Sequence, residues 1–367
     1  MNMTIASHEH DLPLRHMARE HAMPGWVRLA FAREPDWFIA QTVLGHSIQT
    51  MVALDASDHV VGCGVRAIRN VFVNGQSTDI GYLCGLRSLP PARRALGLGH
   101  AFRFFRRLHD ADRKVPMYLS TIVEANTAAM QLLTSGRPPL PSYIDQGRFI
   151  TSAVLLGRRV SHKIPRALRI VTGGDLPREA LEVYLRQEGA ARQFFPSLGP
   201  GGFTEPQWRG LDPSAFRVAL RDGMIVGTIA AWDQSAFRQT LVTGYAPAIR
   251  CVRPVLNAGL RMAGYPMLPQ PGDALRFFHA ALICIRHDDP AVFSALLQRL
   301  RADHGGVSAF DYFVVGLHER NPLLEPLRRI HAYSYTSRLF GVCWDDGRAF
   351  CAALDPHRVP HLETATL

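Results

Sequence analysis

The chain has 367 residues, 47% of them hydrophobic, with 41 Lys plus Arg against 31 Asp plus Glu and a formal net charge of +10. That length favours two domains over one, and the hydrophobic content suffices for ordinary cores. The basic balance suits anionic ligands, but the arginines are scattered without a long block, so nucleic acid is not an expected partner.

In chain order, residues up to Met23 are polar and His-rich, a flexible or helical lead-in. Pro24 to Gly45 reads as helical in parts, with Trp26, Leu29, Ala30 and Phe38 as its apolar face and Arg33-Glu34-Pro35 as a break. Strands follow at 48–54, 60–73 and 78–89, the last two joined by Asn74-Gly75, a strong hairpin signal. His100 to Leu108 carries apolar residues at helical spacing, Met117 to Val123 is another strand, Asn126 caps a helix to Leu133, and Arg148 to Leu156 closes the half. Arg158 to Pro165 is polar and basic, as a linker would be.

The pattern then repeats. Strands are predicted at 168–171, 216–220, 224–232, 240–245, 276–285, 310–317 and 333–342, and helices at 176–191, 255–262, 291–302 and 321–330. No apolar run approaches membrane-spanning length, so no membrane partner is expected. Met1 to Glu20 shows no apolar signal core, and the expected place is the cytoplasm. The six cysteines, at 63, 84, 251, 284, 343 and 351, form no C-x-x-C pair. They read mostly as buried reduced thiols, and no metal site is expected.

The stretch around which the first half is organised is Arg94-Ala95-Leu96-Gly97-Leu98-Gly99, between a strand and the helix beginning near His100. A basic, glycine-containing loop at a helix start offers free amides and partial positive charge to a phosphate. It lacks the Gly-Lys-Ser/Thr of a P-loop and the G-x-G-x-x-G order of a dinucleotide fold. The order resembles the pyrophosphate loop of the GNAT acyltransferases, Arg/Gln-x-x-Gly-x-Gly/Ala. Leu89-Pro90-Pro91-Ala92-Arg93-Arg94 is similar to the segment that leads into that loop, and Asn126-Thr127-Ala128-Ala129 to the family's second motif, Asn-x-x-Ala. The element order agrees over roughly residues 24–157.

That resemblance implies an α+β (mixed α/β) fold of two GNAT-like domains, each a mixed, mostly antiparallel central sheet flanked by helices. It places an acyl-CoA-binding domain at 1–158, a linker at 159–166, a degenerate GNAT-like domain at 167–350 and a C-terminal tail at 351–367. Tandem pairs with one active half, such as the mycothiol synthases, are known in the superfamily. Here the second half has Arg286-His287-Asp288-Asp289 where the pyrophosphate would sit: no glycine, and two carboxylates that repel phosphate and cap the next helix.

The resemblance also implies acetyl-CoA, or another acyl-CoA, as the donor and a small amine or amino sugar as the acceptor, with no metal. Pantetheine would pair with main chain near Arg87, Ser88 and Leu89. Pyrophosphate would lie on the amides of Arg94, Ala95, Leu96, Gly97, Leu98 and Gly99, up to His100, with charge from Arg93 or Arg94. Asn126 and Ala129 would border the pantetheine arm, although Asn126 also serves as a plain helix cap. The family's usual leaving-group acid is a tyrosine where this chain has Leu133. Tyr143, Cys84 and Ser135 are the candidate replacements, and Asp79 and Glu124 the candidate bases. Each also has an ordinary structural reading. The alternative function is a CoA-binding sensor or assembly module without turnover. The oligomeric state is not legible, and the acceptor pocket is expected near the junction of the halves, with Tyr245, Trp232 or Tyr335 as walls.

Overall fold

A computed structural model of the chain describes residues 2–23, 25–157, 165–306, 309–330 and 332–367, with the side chains of 90–97 outside the described set. The first half runs β1 (Asn2–Ile5), α1 (Asp11–Glu20), β2 (Val27–Ala32), α2 (Trp37–Gln41), β3 (Ser47–Leu54), β4 (Val60–Val73) and β5 (Gln76–Ser88). It continues with α3 (Pro90–Asp112), β6 (Tyr118–Val123), α4 (Thr127–Leu133) and β7 (Ser142–Leu155). The second half begins β8 (Arg169–Thr172), α5 (Arg178–Gly189), β9 (Phe216–Arg221), β10 (Met224–Trp232), β11 (Gln239–Tyr245) and α6 (Pro247–Ala263). It ends β12 (Phe277–Ile285), α7 (Pro290–His304), β13 (Tyr312–His318), α8 (Leu324–Arg328), β14 (Ala332–Cys343) and α9 (Arg348–Ala352).

One twelve-stranded sheet runs through both halves in the order β1-β3-β4-β5-β6-β14-β7-β13-β12-β10-β9-β8, and β2 and β11 form a separate ribbon. Among the described strand pairs only β5–β6 and β12–β13 are parallel, each joined by a crossover helix. This is the expected mixed, mostly antiparallel sheet flanked by helices. The halves are interlocked: β14 is hydrogen-bonded between β6 and β7, and β7 between β14 and β13. The ranges 1–158 and 167–350 therefore do not own separate sheets. Most of the expected linker lies outside the described residues.

Local chemistry accounts for most elements. Asn74-Gly75 and Asp222-Gly223 both take positive φ at both positions, as tight two-residue hairpins require. On the first-half sheet, alternation sends Tyr82, Leu119 and Leu339 to one face, against Leu14, Met17 and Trp37 of α1 and α2. Leu83, Tyr118 and Phe340 go to the other, under Phe102, Phe104 and Phe105 of α3. The far end of α3 is pinned by Arg66, fully buried, which binds Asp112 in a two-pronged pair and donates to the Tyr118 hydroxyl at 2.9 Å.

Three segments differ from the sequence reading. Val27–Ala32 is a strand, because its partner β11 lies over 200 residues away and no local pattern announces it. The polar lead-in is ordered as β1 and α1, with Leu14, Met17 and Ala18 buried. Residues 351–367 are no loose tail, since Leu362 to Thr366 are buried in the interior.

Candidate functional site

The parallel pairing of β5 with β6 stops at Gly81–Tyr118 and Tyr82–Leu119. Beyond it β5 stays paired to β4 as far as Ser88, and β6 to β14 as far as Val123. The strands therefore part between 83–88 and 120–123. The parting coincides with a bulge: Val65 faces Cys84 and Cys63 faces Arg87, which leaves Gly85 and Leu86 without β4 partners. Gly85 has φ +64°, which glycine adopts without the Cβ penalty. The Tyr82 hydroxyl reaches across to Thr121 Oγ1 at 3.3 Å, marking where the gap begins.

Around Cys84 stand four arginines from both halves. Arg33 follows β2, Arg69 lies on β4, Arg87 on β5 and Arg238 just before β11, and each acts electrostatically on the Cys84 thiol. Their pull toward the thiolate loses to burial, which pushes the thiol up to about 11. Burial, followed by Arg238 and Arg87, holds the Arg33 guanidinium well below its ordinary value. Burial likewise brings Arg238 down to about 10. Arg33 Nη1 donates to Ala32 O at 2.8 Å, Arg69 to Thr366 Oγ1 and O, and Arg238 to Gln234, Ala365 O and the terminal oxygen of Leu367. Arg69 also lies 4.2 Å over the Tyr82 ring, and its Nε is buried without a partner among the described residues. His279 on β12 faces Arg238; burial lowers it to about 3, and its Nδ1 is buried and unpartnered.

The sequence-derived site residues fall in different places. Cys84 and Arg87 stand at the gap, and Ser88 and Leu89 end the strand beside it. The stretch 94–99 is not a loop: α3 begins at Pro90, so helical geometry turns the amides of Arg94, Ala95, Leu96, Gly97, Leu98 and Gly99 back into the helix. The reason is Pro90-Pro91, whose fixed φ presets the first turn and which bring no N–H. The side chains of Arg93 to Gly97 are outside the described set. Leu98 packs toward the α3-side core, Gly99 approaches Pro139, and His100 lines a groove beside the helix. Asn126 caps α4, accepting from Ala129 N at 3.2 Å.

Of the acid candidates, Tyr143 is half-buried under α3 between Phe102 and Phe340, and desolvation raises its phenol far above the ordinary range against a hydrogen bond to Ser120. Ser135 donates to Leu132 O at the end of α4, a turn contact on the surface. Glu124 is consumed by Arg148 and Arg338, and Asp79 by His46 and Asn70. The expected walls are elsewhere too: Trp232 is buried on Arg209 O, the Tyr245 hydroxyl donates to Pro269 O, and Tyr335 is on the surface. Sequence reading missed Arg33, Arg69 and Arg238. The signal for Arg69 is weak: an arginine inside a mostly apolar strand that also holds Arg66 and Asn70.

Two further features complete the geometry. A groove of about 1110 Å³ runs beside α3, lined by His100, Arg103, Arg106, Arg107 and Arg348 with the 136–142 loop. Arg106 and Arg348 are paired with acids, while Arg103 and Arg107 form no ion pair among the described residues. In the second half, the strands of the other parallel crossover also part, after His279–Val314. There the chain's own segment fills the space: Glu363 Oε2 accepts from Leu282 N at 2.7 Å, and Thr364 lies against Gly316. Asp289 caps α7 through Ala291 N and pairs with Arg221 at 2.8 Å, so carboxylates occupy that helix start as expected.

No protein-family model and no curated protein sequence matches the chain. Among solved structures, it is similar to the glucosamine N-acetyltransferase region of a fungal multi-domain β-N-acetylglucosaminidase, with 13% identity and TM-score 0.55 over 93% of this chain and 38% of that one. It is also similar to a GCN5-related N-acetyltransferase from Sphaerobacter thermophilus (13% identity, TM-score 0.47, 80% and 79% covered). A probable N-acyltransferase from Enterococcus faecalis shares 11% identity at TM-score 0.49, with 92% and 72% covered. At these identities the likeness concerns the fold, which is that of the GNAT acyltransferases.

Proposed function

We propose that the chain is an acyl-CoA-dependent N-acyltransferase that moves an acetyl or similar acyl group to a small amine or amino sugar. The observation that carries this reading is the parting of β5 and β6 at a glycine bulge, with a basic helix on one face of the sheet and a cluster of arginines on the other. The donor's pantetheine would lie in the gap along Arg87 to Leu89, and its pyrophosphate near the first turns of α3. Because the prolines and the helix leave few free amides there, Arg93, Arg94 and the basic groove supply the attraction, rather than a main-chain cradle. Asn126 and Ala129 border the arm.

In this reading the acceptor sits on the Cys84 side, at the junction of the halves. Its neutral amine attacks the thioester carbonyl, a C–N bond forms, the C–S bond breaks and the thiolate leaves, while the nitrogen releases one proton to solvent. Gly85 and Leu86, released from the β4 ladder, bring main-chain amides near the oxyanion. A thiol with parent pKa near 8.5 is a fair leaving group at neutral pH, so the absence of tyrosine at Leu133 is tolerable. Positioning then supplies much of the rate.

The test is thiol release from acetyl-CoA by the full chain with a panel of amines. Amine-dependent release supports an enzyme. Coenzyme binding without release from any amine favours the sensor reading, for which the leucine at 133 is the supporting observation.

A further inference from the structure

The geometry points to an acceptor that carries a carboxylate or a phosphate near its amine, held by Arg33, Arg69, Arg87 and Arg238. This rests on the acyltransferase reading above and names the substrate class for the same site.

Four guanidiniums act on Cys84; among the described residues Arg33, Arg69 and Arg87 form no ion pair, and Arg238 donates to Ala365 O and to the terminal oxygen of Leu367. Glu363, which acts on Arg69, already accepts from the amides of Leu282 and Ala365. Like charges brought together out of water are costly unless an anion balances them. Arg33 bonds only its neighbour's carbonyl, and Arg69 Nε is buried with nothing to bond. A buried donor without a partner calls for an explanation, and a ligand anion provides one. Guanidinium forks fit carboxylate and phosphate oxygens in pairs, where lysine would offer only a point charge.

The anion is not the donor's own pyrophosphate. Tyr82 belongs to the sheet face covered by α1 and α2, and Cys84 packs on the same side, whereas α3 covers the opposite face. The cluster therefore meets whatever approaches the thioester from the junction side. An anion there and an amine at the gap lie within one small molecule. The same charge repels a polycationic amino sugar and accepts an amino-sugar phosphate or an acidic amino acid.

Calorimetry on the full chain separates the two layers of the argument. Coenzyme A is titrated first, alone; failure to bind rejects the donor reading and leaves the anion measurement to be made on the unliganded chain. Glucosamine 6-phosphate against glucosamine, and glutamate against glutamine, are then titrated with coenzyme A present. At least one anionic amine is expected to bind about tenfold or more tightly than its uncharged counterpart, the scale of a charged hydrogen-bond pair. The phosphate and carboxylate arms identify the class. Arg33→Gln, which removes a charge whose only bond is to Ala32 O, should erase the preference, and Arg33→Lys should restore part of it. Thermal unfolding of the variants checks that they fold. Equal affinity within both pairs, no binding of either anion, or a preference untouched in folded Arg33→Gln would each overturn the proposal.

Discussion

The two parallel crossovers of this molecule, β5–α3–β6 and β12–α7–β13, are built alike and finished differently. In each, parallel pairing ends after two or three residues and the strands part. In each, the first strand carries a bulge with a residue at positive φ, Gly85 at +64° and Leu282 at +47°. In the second half the bulge amide is bound by Glu363, the parting is filled by buried residues up to Thr366, and Asp289 caps the helix. In the first half the bulge is a glycine, the helix opens with arginines nearby, and Arg33, Arg69 and Arg87 stand at the parting without an ion pair among the described residues. One architecture is thus left open in the first half, where we propose the donor lies, and closed as ordinary core in the second, and what decides is whether the chain itself supplies the filling.

Charge reversal at the helix start tests this contrast most severely. Arg94→Asp gives the first half the sign of the second, and coenzyme A affinity should fall about a hundredfold, or roughly 2.7 kcal/mol, from a lost charged partner plus repulsion. Titration calorimetry should show a single site in the parent chain. Two equivalent sites, or an unchanged variant, would sink the assignment of donor binding to the first half alone.

Removing the filling should cost stability. Glu363→Ala leaves the Leu282 and Ala365 amides without their carboxylate, worth about 2 kcal/mol for a buried charged acceptor. In a chain of this size that lowers Tm by several degrees. A Tm within one degree of the parent, to order of magnitude, would show that the segment merely rests in the gap. A smaller loss, about 1–2 kcal/mol, is expected for Gly85→Leu, which copies the second half's residue into a left-handed bulge. Denaturant unfolding measures it, and an unchanged midpoint would mean that the bulge relaxes.

Chemistry at the gap should be less sensitive. With the Cys84 thiol at about 11 and the Tyr143 phenol raised by burial, neither titrates near neutrality. Cys84→Ala and Tyr143→Phe should each lower kcat less than about tenfold, or 1.4 kcal/mol. The rate should rise as the acceptor amine deprotonates and then level, without a falling alkaline limb. A hundredfold loss in either variant, on the order of 2.7 kcal/mol, with coenzyme affinity intact would identify that residue as the acid.

The least effect at neutral pH is expected from His279→Gln. His279 is depressed in the folded chain from 6.5 to about 3, so its contribution is fully present above 6.5 and is lost as pH falls through that window. The variant should unfold less readily than the parent near pH 4, and acid titration of stability shows whether that limb persists.

Much was legible in the residues themselves. Asn74-Gly75 and Asp222-Gly223 dictated their hairpins, because few other pairs accept positive φ twice. The alternation around Tyr82–Leu83 and the helical repeat through Phe102–Phe105 fixed which faces are buried. Asp289 was recognisable as a cap from its place before a helix. All of these are rules acting within a few residues.

What the sequence did not determine depends on partners far along the chain. Val27–Ala32 became a strand only because Gln239–Tyr245 lies beside it. The helix start moved back to Pro90, where two prolines outweighed the glycines at 97 and 99. The placing of β14 between β6 and β7, and of Glu363 under Leu282, joins residues separated by 80 to more than 200 positions. The arginine cluster at Cys84 is of the same kind. Arg33, Arg69, Arg87 and Arg238 are four ordinary arginines until the interlocked sheet and the β2–β11 ribbon bring them to one thiol. Electrostatic convergence is a property of distance in space, and only the tertiary structure sets that distance.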